Sequence, residues 1–315
     1  MANSNPPRSF LELFNLIDNV PYDFDFKSLY KLLLPGDDRP HGMMLPDAVA
    51  MIPWSSQFTI DHVALSVKIT DSSEGKDTSK ACIAAFQDTV DAIIESKLFP
   101  IVHKHSELFR LMGANDDVVF ERFTSPIFGV AGGGAHMTAF VRTPKGIKVW
   151  VPRRSKHLKT YPGMLDTSVA GGIKADDTPF TCIVDEAHEE ASLPKEYVET
   201  QAVSVGVITH VTESSFPKPL PLVYSQVLYL YDIELPEDII PKPGDDEVEE
   251  FLLWGVEEVK DAMMKQKFKP NSSLVMMEFF IRHGIFTPDN LPGYSEICVR
   301  LRRHLPVAIT PSRAV

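Results

Sequence analysis

Cysteine is scarce: 315 residues contain three, Cys82, Cys182 and Cys298, each about a hundred positions from the next. That spacing supports neither a local disulfide framework nor a CxxC metal clip, and the expected setting is a reducing, cytoplasmic one. No stretch reaches the ~20 consecutive apolar residues of a membrane helix, and residues 1–20 lack the charged-then-apolar pattern of a secretory signal, so no membrane role is expected. Basic charge is in deficit. Lys and Arg number 31 against 43 Asp and Glu, and the net charge of −12 opposes binding to phosphate backbones or anionic lipid, which excludes nucleic acid as an expected partner. There is no G-x-S-x-G elbow, and the glycine runs lack the GK[ST] of a phosphate loop, so serine-nucleophile and P-loop chemistry fall away. Proline is not scarce. Its 25 residues exceed the usual ~5% and favour many ordered turns over a long helical array, while 44% hydrophobic and 23% charged residues describe an ordinary globular chain of about two domains.

Phe10, Leu13, Phe14 and Ile17 recur at helical spacing within 9–20, and Asp18, Asn19 and Pro21 end that run. Segment 32–42, LLLPGDDRPHG, reads as a loop, and MIPWSS (51–56) as a turn. Residues 79–98 read as an amphipathic helix with Ile83, Phe86, Val90 and Ile93 or Ile94 on one face. VVFERF (118–123) is strand-like, and the glycine run 129–135 closes the first half. From His136 the pattern turns to β: a hairpin around Pro144-Lys145-Gly146, strands at 204–214 and 224–235, and a strand passing into a helix over 249–266. A last helix is predicted over 271–284, with Asn271 or Ser272 as N-cap and Gly284 at its end. The division falls at 1–133 and 134–315, and the fold class is α/β.

Chemistry concentrates in GGIKADDTPFTCIVDEAHEEASL (171–193). Asp177 or Thr178 caps a helix with Pro179 in its first turn. Glu186, Glu189 and Glu190 then share a face at i, i+3 and i+4, with Asp185 one turn before Glu189. Such a face is commonly just solvated. Here like charges repel with no Lys or Arg between Asp176 and Leu193 to offset them, and a hard divalent cation, Mg²⁺ or Mn²⁺, would do so while sharing its shell with substrate phosphates.

The segment resembles the Nudix box: Gly, five residues, Glu, seven residues, Arg-Glu, an aliphatic, any residue, Glu-Glu, any residue, Gly, an aliphatic. Residue by residue, the resemblance makes Gly171 the leading glycine, Glu186, Glu189 and Glu190 the metal-binding glutamates, with Gly171 beside them in the metal set, and Leu193 the closing aliphatic. WVPRRSKHLKTYPGMLDTSVAGG (150–172), DDEVEEFLLW (245–254) and SFLELFNLIDNVPYDFDF at the start are similar to one fungal and plant branch, related to the thiamine pyrophosphokinase-associated Nudix hydrolases, in which a domain of unknown function precedes the Nudix domain. The implied fold is an N-terminal α+β domain followed by an α/β/α sandwich with a mixed sheet. The implied activity is hydrolysis of a small organic diphosphate, with thiamine diphosphate or its damaged forms favoured. The box departs from the family at Asp177, Asp185 and Ser192, and Asp185 in place of the arginine is expected to add repulsion and to slow or alter hydrolysis. A relative specialised for a prenyl or other diphosphate, one catalysing a different reaction in the same cleft, and a catalytically silent binding module remain open.

A diphosphate also needs positive charge, and Arg153, Arg154, Lys156 and Lys159 gather just before the box, where strand alternation sends only one of the two arginines to any given face. As a substrate-binding set we take Arg153, Arg154, Lys156, Tyr161 and Asp166; Tyr161-Pro162-Gly163 is equally a plain turn. In the acidic run at 245–250, Glu247 or Glu250 is a candidate to complete the metal shell or take a proton from attacking water, a role Nudix proteins often give to a glutamate outside the box. The catalytic set is then Glu186, Glu189 and Glu247. His136 reads as structural, and His103 with His105 on a strand face is a weak zinc signal. The assembly expected is a monomer or homodimer.

Overall fold

A computed structural model describes residues 6–214 and 220–312. The chain opens with α1 (Phe10–Ile17), capped by the Ser9 hydroxyl, which accepts the Glu12 N–H at 3.1 Å. A mixed four-stranded sheet follows, built from β1 (Tyr30–Leu34), β2 (Asp37–Met44), β3 (Phe58–Asp61) and β4 (Ser66–Ile69) in the order β2-β1-β4-β3, with α2 (Pro46–Met51) between β2 and β3. Only the β1/β4 pair is parallel. Residues 32–42, expected as a loop, are therefore the heart of a hairpin. Pro40, which argues against a strand, is tolerated because β2 lies at the sheet edge, where no inner neighbour needs its missing N–H.

The predicted amphipathic helix is α3 (Thr78–Ser96), which buries Cys82, Phe86, Val90 and Ile93. Phe86 meets the rings of Phe58, Phe120 and Phe128 at 5.1–5.9 Å, and a fully buried phenyl side chain contributes about 1.5–3 kcal/mol. A small hairpin, β5 (Leu108–Arg110) with β6 (Val119–Glu121), completes this half. His103 and His105 precede β5 in irregular chain and so share no strand face. His105 pairs with Asp91 at 2.7 Å, and His103 meets Lys159 at 3.0 Å.

The second sheet runs β10-β11-β7-β8-β12, from β7 (Gly132–Thr143), β8 (Gly146–Arg154), β9 (Val169–Gly172), α4 (Pro179–Ala191), α5 (Lys195–Gln201), β10 (Val203–Ser214), β11 (Leu222–Glu234), β12 (Val248–Gly255), α6 (Val256–Met264), α7 (Pro270–Arg282) and α8 (Tyr294–Arg300). Gly132–Gly134 thus open β7 rather than close the first half. β7 pairs with β9 along 134–137 and with β8 along 140–143, on the edge opposite its parallel neighbour β11. Between these two partners the Ser168 hydroxyl accepts the Ala139 N–H at 2.8 Å and donates to the Trp150 carbonyl at 2.6 Å.

Helices cover both faces of this sheet. One face buries Ile183, Ala187 and Ala191 of α4 with Val198 of α5; the other buries residues of α6, α7 and α8. The result is an α/β/α sandwich beside an α+β half. Although it opens the segment 1–133, α1 packs against α7 in the outer layer, because Leu13, Phe14 and Ile17 have their apolar partners there. Asn271 or Ser272 is the N-cap expected from local chemistry, but neither caps α7. Lys269 is the N-cap, and Ser272 instead donates to the buried Asp166 carboxylate. Nor is α7 the last helix, since α8 follows it.

The halves are joined by a fourth core, which includes Leu29, Met43, Val211, Val223 and Leu305. Beside it the fully buried Asp18 accepts Arg303 Nη1 at 2.9 Å, Arg300 Nη2 at 3.0 Å and the Val211 N–H at 3.0 Å. The chain beyond α8 then returns to β2, where the Ala308 N–H donates to the Pro40 carbonyl at 2.7 Å. Among the described residues, no helix is long and apolar enough to cross a membrane.

Candidate active site

A cleft of about 540 Å³ opens where β7, β9, β10 and β11 meet α4 and the β5–β6 hairpin. Two adjacent glycines of β9 shape its floor. A Cβ on Gly171 would stand 2.5 Å from Glu186 Cγ and Oε1, and one on Gly172 would stand 2.6 Å from the Phe109 ring. Gly171 therefore lets the glutamate helix lie directly on the strand, and Gly172 lets the N-terminal hairpin do so.

α4 is held at its start by Thr178, whose hydroxyl accepts the Thr181 N–H at 3.1 Å, with Pro179 at the first helical position. Its apolar stripe faces the sheet, which leaves Glu186, Glu189 and Glu190 on the cleft side. Glu190 is only 8% exposed and accepts the Ala170 N–H at 3.3 Å. The turn around Pro243 is stitched to the end of this helix: the Lys242 N–H donates to the Ala191 carbonyl at 3.0 Å and the Gly244 N–H to that of Glu190 at 3.2 Å. Those two bonds carry Asp245 and Glu247 into the cleft wall.

Crowded carboxylates raise one another. Burial pushes the Glu186 carboxyl up to about 7; Lys174 opposes the rise, while Glu189 and Glu247 add to it. Burial, with Glu186 next, drives Glu190 well above the carboxylate range. The inner wall is neutral. Burial lowers His136 to about 3 and His210 to about 4; His136 Nδ1 lies 2.8 Å from Thr167 Oγ1, and His210 Nε2 lies 2.9 Å from Gln226 Oε1. Burial also raises Tyr224.

Of the candidate residues, Gly171, Glu186, Glu189, Glu190, Glu247, Arg154 and Tyr161 line one cleft. Arg153 and Lys156 do not: Arg153 pairs with Glu250 at 2.7 Å, and Lys156 with Glu249 at 3.6 Å. Asp166 is buried behind the wall, where it accepts Arg154 Nη1 at 3.0 Å and Lys269 Nζ at 3.3 Å. Burial would raise its carboxyl, but Lys269, Arg154, His136 and the Ser272 hydroxyl together outweigh it and bring it to about 2. Asp166 orders the cations that face the cleft, and Arg154 keeps a buried Nε without a partner.

Asp185 is not part of the cleft lining. Its carboxylate pairs with Lys195 at the start of α5, so the expected repulsion toward Glu189 is offset by a lysine just past the acidic segment. Sequence reasoning missed Lys174, Lys269, His210, Tyr224, Phe109 and Arg122 as cleft residues. Lys174 stands within the GGIK start of the segment and was visible there. The others carry no local signal.

Among the described residues, no three His, Cys, Asp or Glu side chains converge as a ready-made ion cage. The donor set nevertheless fits a hard cation. Its ligands are all oxygen, the Gly171 cradle presses Glu186 against the strand, and burial makes an uncompensated negative charge costly there. Mg²⁺ is commonly held by one or two carboxylates, with waters and substrate phosphates supplying the rest.

Known proteins share this region. Residues 134–276 match the family described as NUDIX domain. An uncharacterized protein of Saccharomyces cerevisiae is 32% identical over 95% of this chain and 92% of its own. Nudix hydrolase 20, chloroplastic, of Arabidopsis thaliana is 34% identical over 69% of this chain, which spans 57% of that relative's length. Among solved structures, the NUDIX domain of Shewanella oneidensis NrtR complexed with ADP ribose aligns over 49% of this chain and 88% of its own, with 12% identity and a TM-score of 0.37.

Proposed function

We propose that this chain, whose residues 134–276 match the NUDIX domain, is a Nudix hydrolase that cleaves the diphosphate link of a small organic diphosphate with Mg²⁺ or Mn²⁺. The observation that carries this reading is the meeting, in one cleft, of four glutamates from two elements with the cations Arg154, Lys174 and Lys269. Glu186, Glu189 and Glu190 would hold the ion. When bound, such an ion polarises phosphoryl oxygens and lowers the pKa of a water. Glu247, on the separate turn stitched to α4, would take a proton from the attacking water. Arg154 and Lys269, ordered by Asp166, would offset charge on the substrate oxygens. Leu16, Ile17, Phe109, Phe123 and Tyr224 give the cleft an apolar and aromatic side suited to a flat organic group.

The test is release of phosphate from a panel of diphosphates by the full chain with Mg²⁺ or Mn²⁺. Thiamine diphosphate and its oxidised forms come first because of the branch resemblance, with nucleoside, prenyl and inositol diphosphates beside them. Turnover that falls at least a hundredfold in Glu189→Gln, in line with losses from removing a principal electrostatic group, supports the reading. No cleavage of any member with either ion sinks it.

A further inference from the structure

Charge in the cleft does not balance through the expected basic run. Two of its four cations, Arg154 and Lys269, are tied to the buried Asp166. The other two, Arg122 and Lys174, share a single carboxylate. Glu107 Oε2 accepts Arg122 Nη1 at 2.5 Å, and Glu107 Oε1 lies 3.4 Å from Lys174 Nζ. Two positive charges against one negative leave this trio with a net positive charge at the rim, opposite the glutamates of α4.

Arg122 is also pre-oriented. Its guanidinium carbon lies 5.5 Å from the Phe109 ring centre and 5.4 Å from that of Phe123, so two aromatic rings hold the cation. Its backbone N–H donates to the Glu107 carbonyl at 2.9 Å. Among the described residues, only Nη1 of the side chain makes a hydrogen bond, which leaves Nε and Nη2 of the fork available. Arg122 directly follows β6, and the β5–β6 hairpin is seated on β9 by the contact of Phe109 with Gly172, one residue from the glycine beneath Glu186.

We propose that Arg122, carried by the half of the chain outside the matched NUDIX region, is a substrate-binding residue that, with Lys174, clamps the diphosphate against the α4 glutamates. This rests on the hydrolase reading above. The N-terminal half is then part of the active site rather than an attached module.

The experiment compares the full-length wild type with Arg122→Ala and Arg122→Gln; the latter keeps a donor toward Glu107 while losing the charge. Arg142→Ala serves as control, since Arg142 pairs with Glu234 away from the cleft. Two readings are taken: KM and kcat for the best diphosphate of the panel, and the Kd for non-hydrolysable methylenediphosphonate in the presence of Mg²⁺. The expected result is a rise of about tenfold or more in KM and Kd for both Arg122 variants, a smaller change in kcat, and no change for Arg142→Ala. An unchanged KM and Kd in Arg122→Gln, with an active wild type, overturns this inference and leaves the hydrolase reading standing. A wild type that neither cleaves any diphosphate nor binds methylenediphosphonate overturns both.

Discussion

Glu186→Gln should make the metal-free protein more stable while removing its response to metal. The folded protein raises this carboxyl from 4.5 to about 7, chiefly by burial. Each pKa unit corresponds to about 1.4 kcal/mol, so full ionisation at Glu186 costs the fold up to about 3 kcal/mol. Between 4.5 and 7 the folded state binds more protons than the unfolded one, so stability falls as pH rises through that window and the loss is complete above it. Gln never ionises, although its amide still bears some burial cost. In EDTA at pH 8, urea unfolding should show the variant about 1–3 kcal/mol more stable than the wild type, and the gap should shrink toward zero near pH 5. Adding Mg²⁺ should stabilise the wild type at pH 8 and the variant much less, by mass action on the folded state. A variant no more stable than the wild type at pH 8, or a gap that does not close on acidification, would refute the argument that Glu186 is held as a costly charge awaiting a cation.

Three other outcomes follow from contacts described above. Gly172→Ala places a methyl 2.6 Å from the Phe109 ring and should cost about 1–3 kcal/mol of stability by overpacking, with a larger proportional loss in kcat/KM because the β5–β6 hairpin is displaced from the cleft; thermal melts and steady-state kinetics check it. Asp18→Ala leaves Arg303 buried without its counterion and should cost about 3–5 kcal/mol, a fall in Tm of roughly 6–20 °C by calorimetry. Asp185→Ala breaks only a half-exposed pair with Lys195, so stability should change by less than about 1 kcal/mol and turnover by less than twofold. A tenfold change in its turnover would restore Asp185 to the chemistry.

What was legible in the sequence is what is local. The 3.6-residue spacing of Phe86, Val90 and Ile93, the Thr178-Pro179 start of α4, and the alternation around Pro144-Lys145-Gly146 each fix an element by themselves, and each element forms. Wherever a partner arrives from a distant part of the chain, local reading falls short. The 32–42 hairpin was hidden because a proline is harmless only at an edge, and which strand lies at the edge is decided by the whole sheet. Ser272 does not cap α7 because the carboxylate that engages its hydroxyl comes from Asp166, 106 residues earlier in the chain. Electrostatics shows the same division most sharply. The run Arg153, Arg154, Lys156 looked like the anion site because it is basic in sequence, yet Arg153 and Lys156 are answered across the β8/β12 pair by Glu250 and Glu249. The acidic excess at Asp185 is likewise cancelled by Lys195. Of the basic run only Arg154 lines the cleft, and the rest of the cleft's positive charge comes from Arg122, Lys174 and Lys269, on three separate segments. A site that must accept a metal and an anion together needs opposite charges close in space but kept from pairing fully with one another. Carrying them on separate elements does that: the β5–β6 hairpin and α4 hold Arg122 and Glu186 on facing walls of the cleft, where a diphosphate and its cation could stand between them.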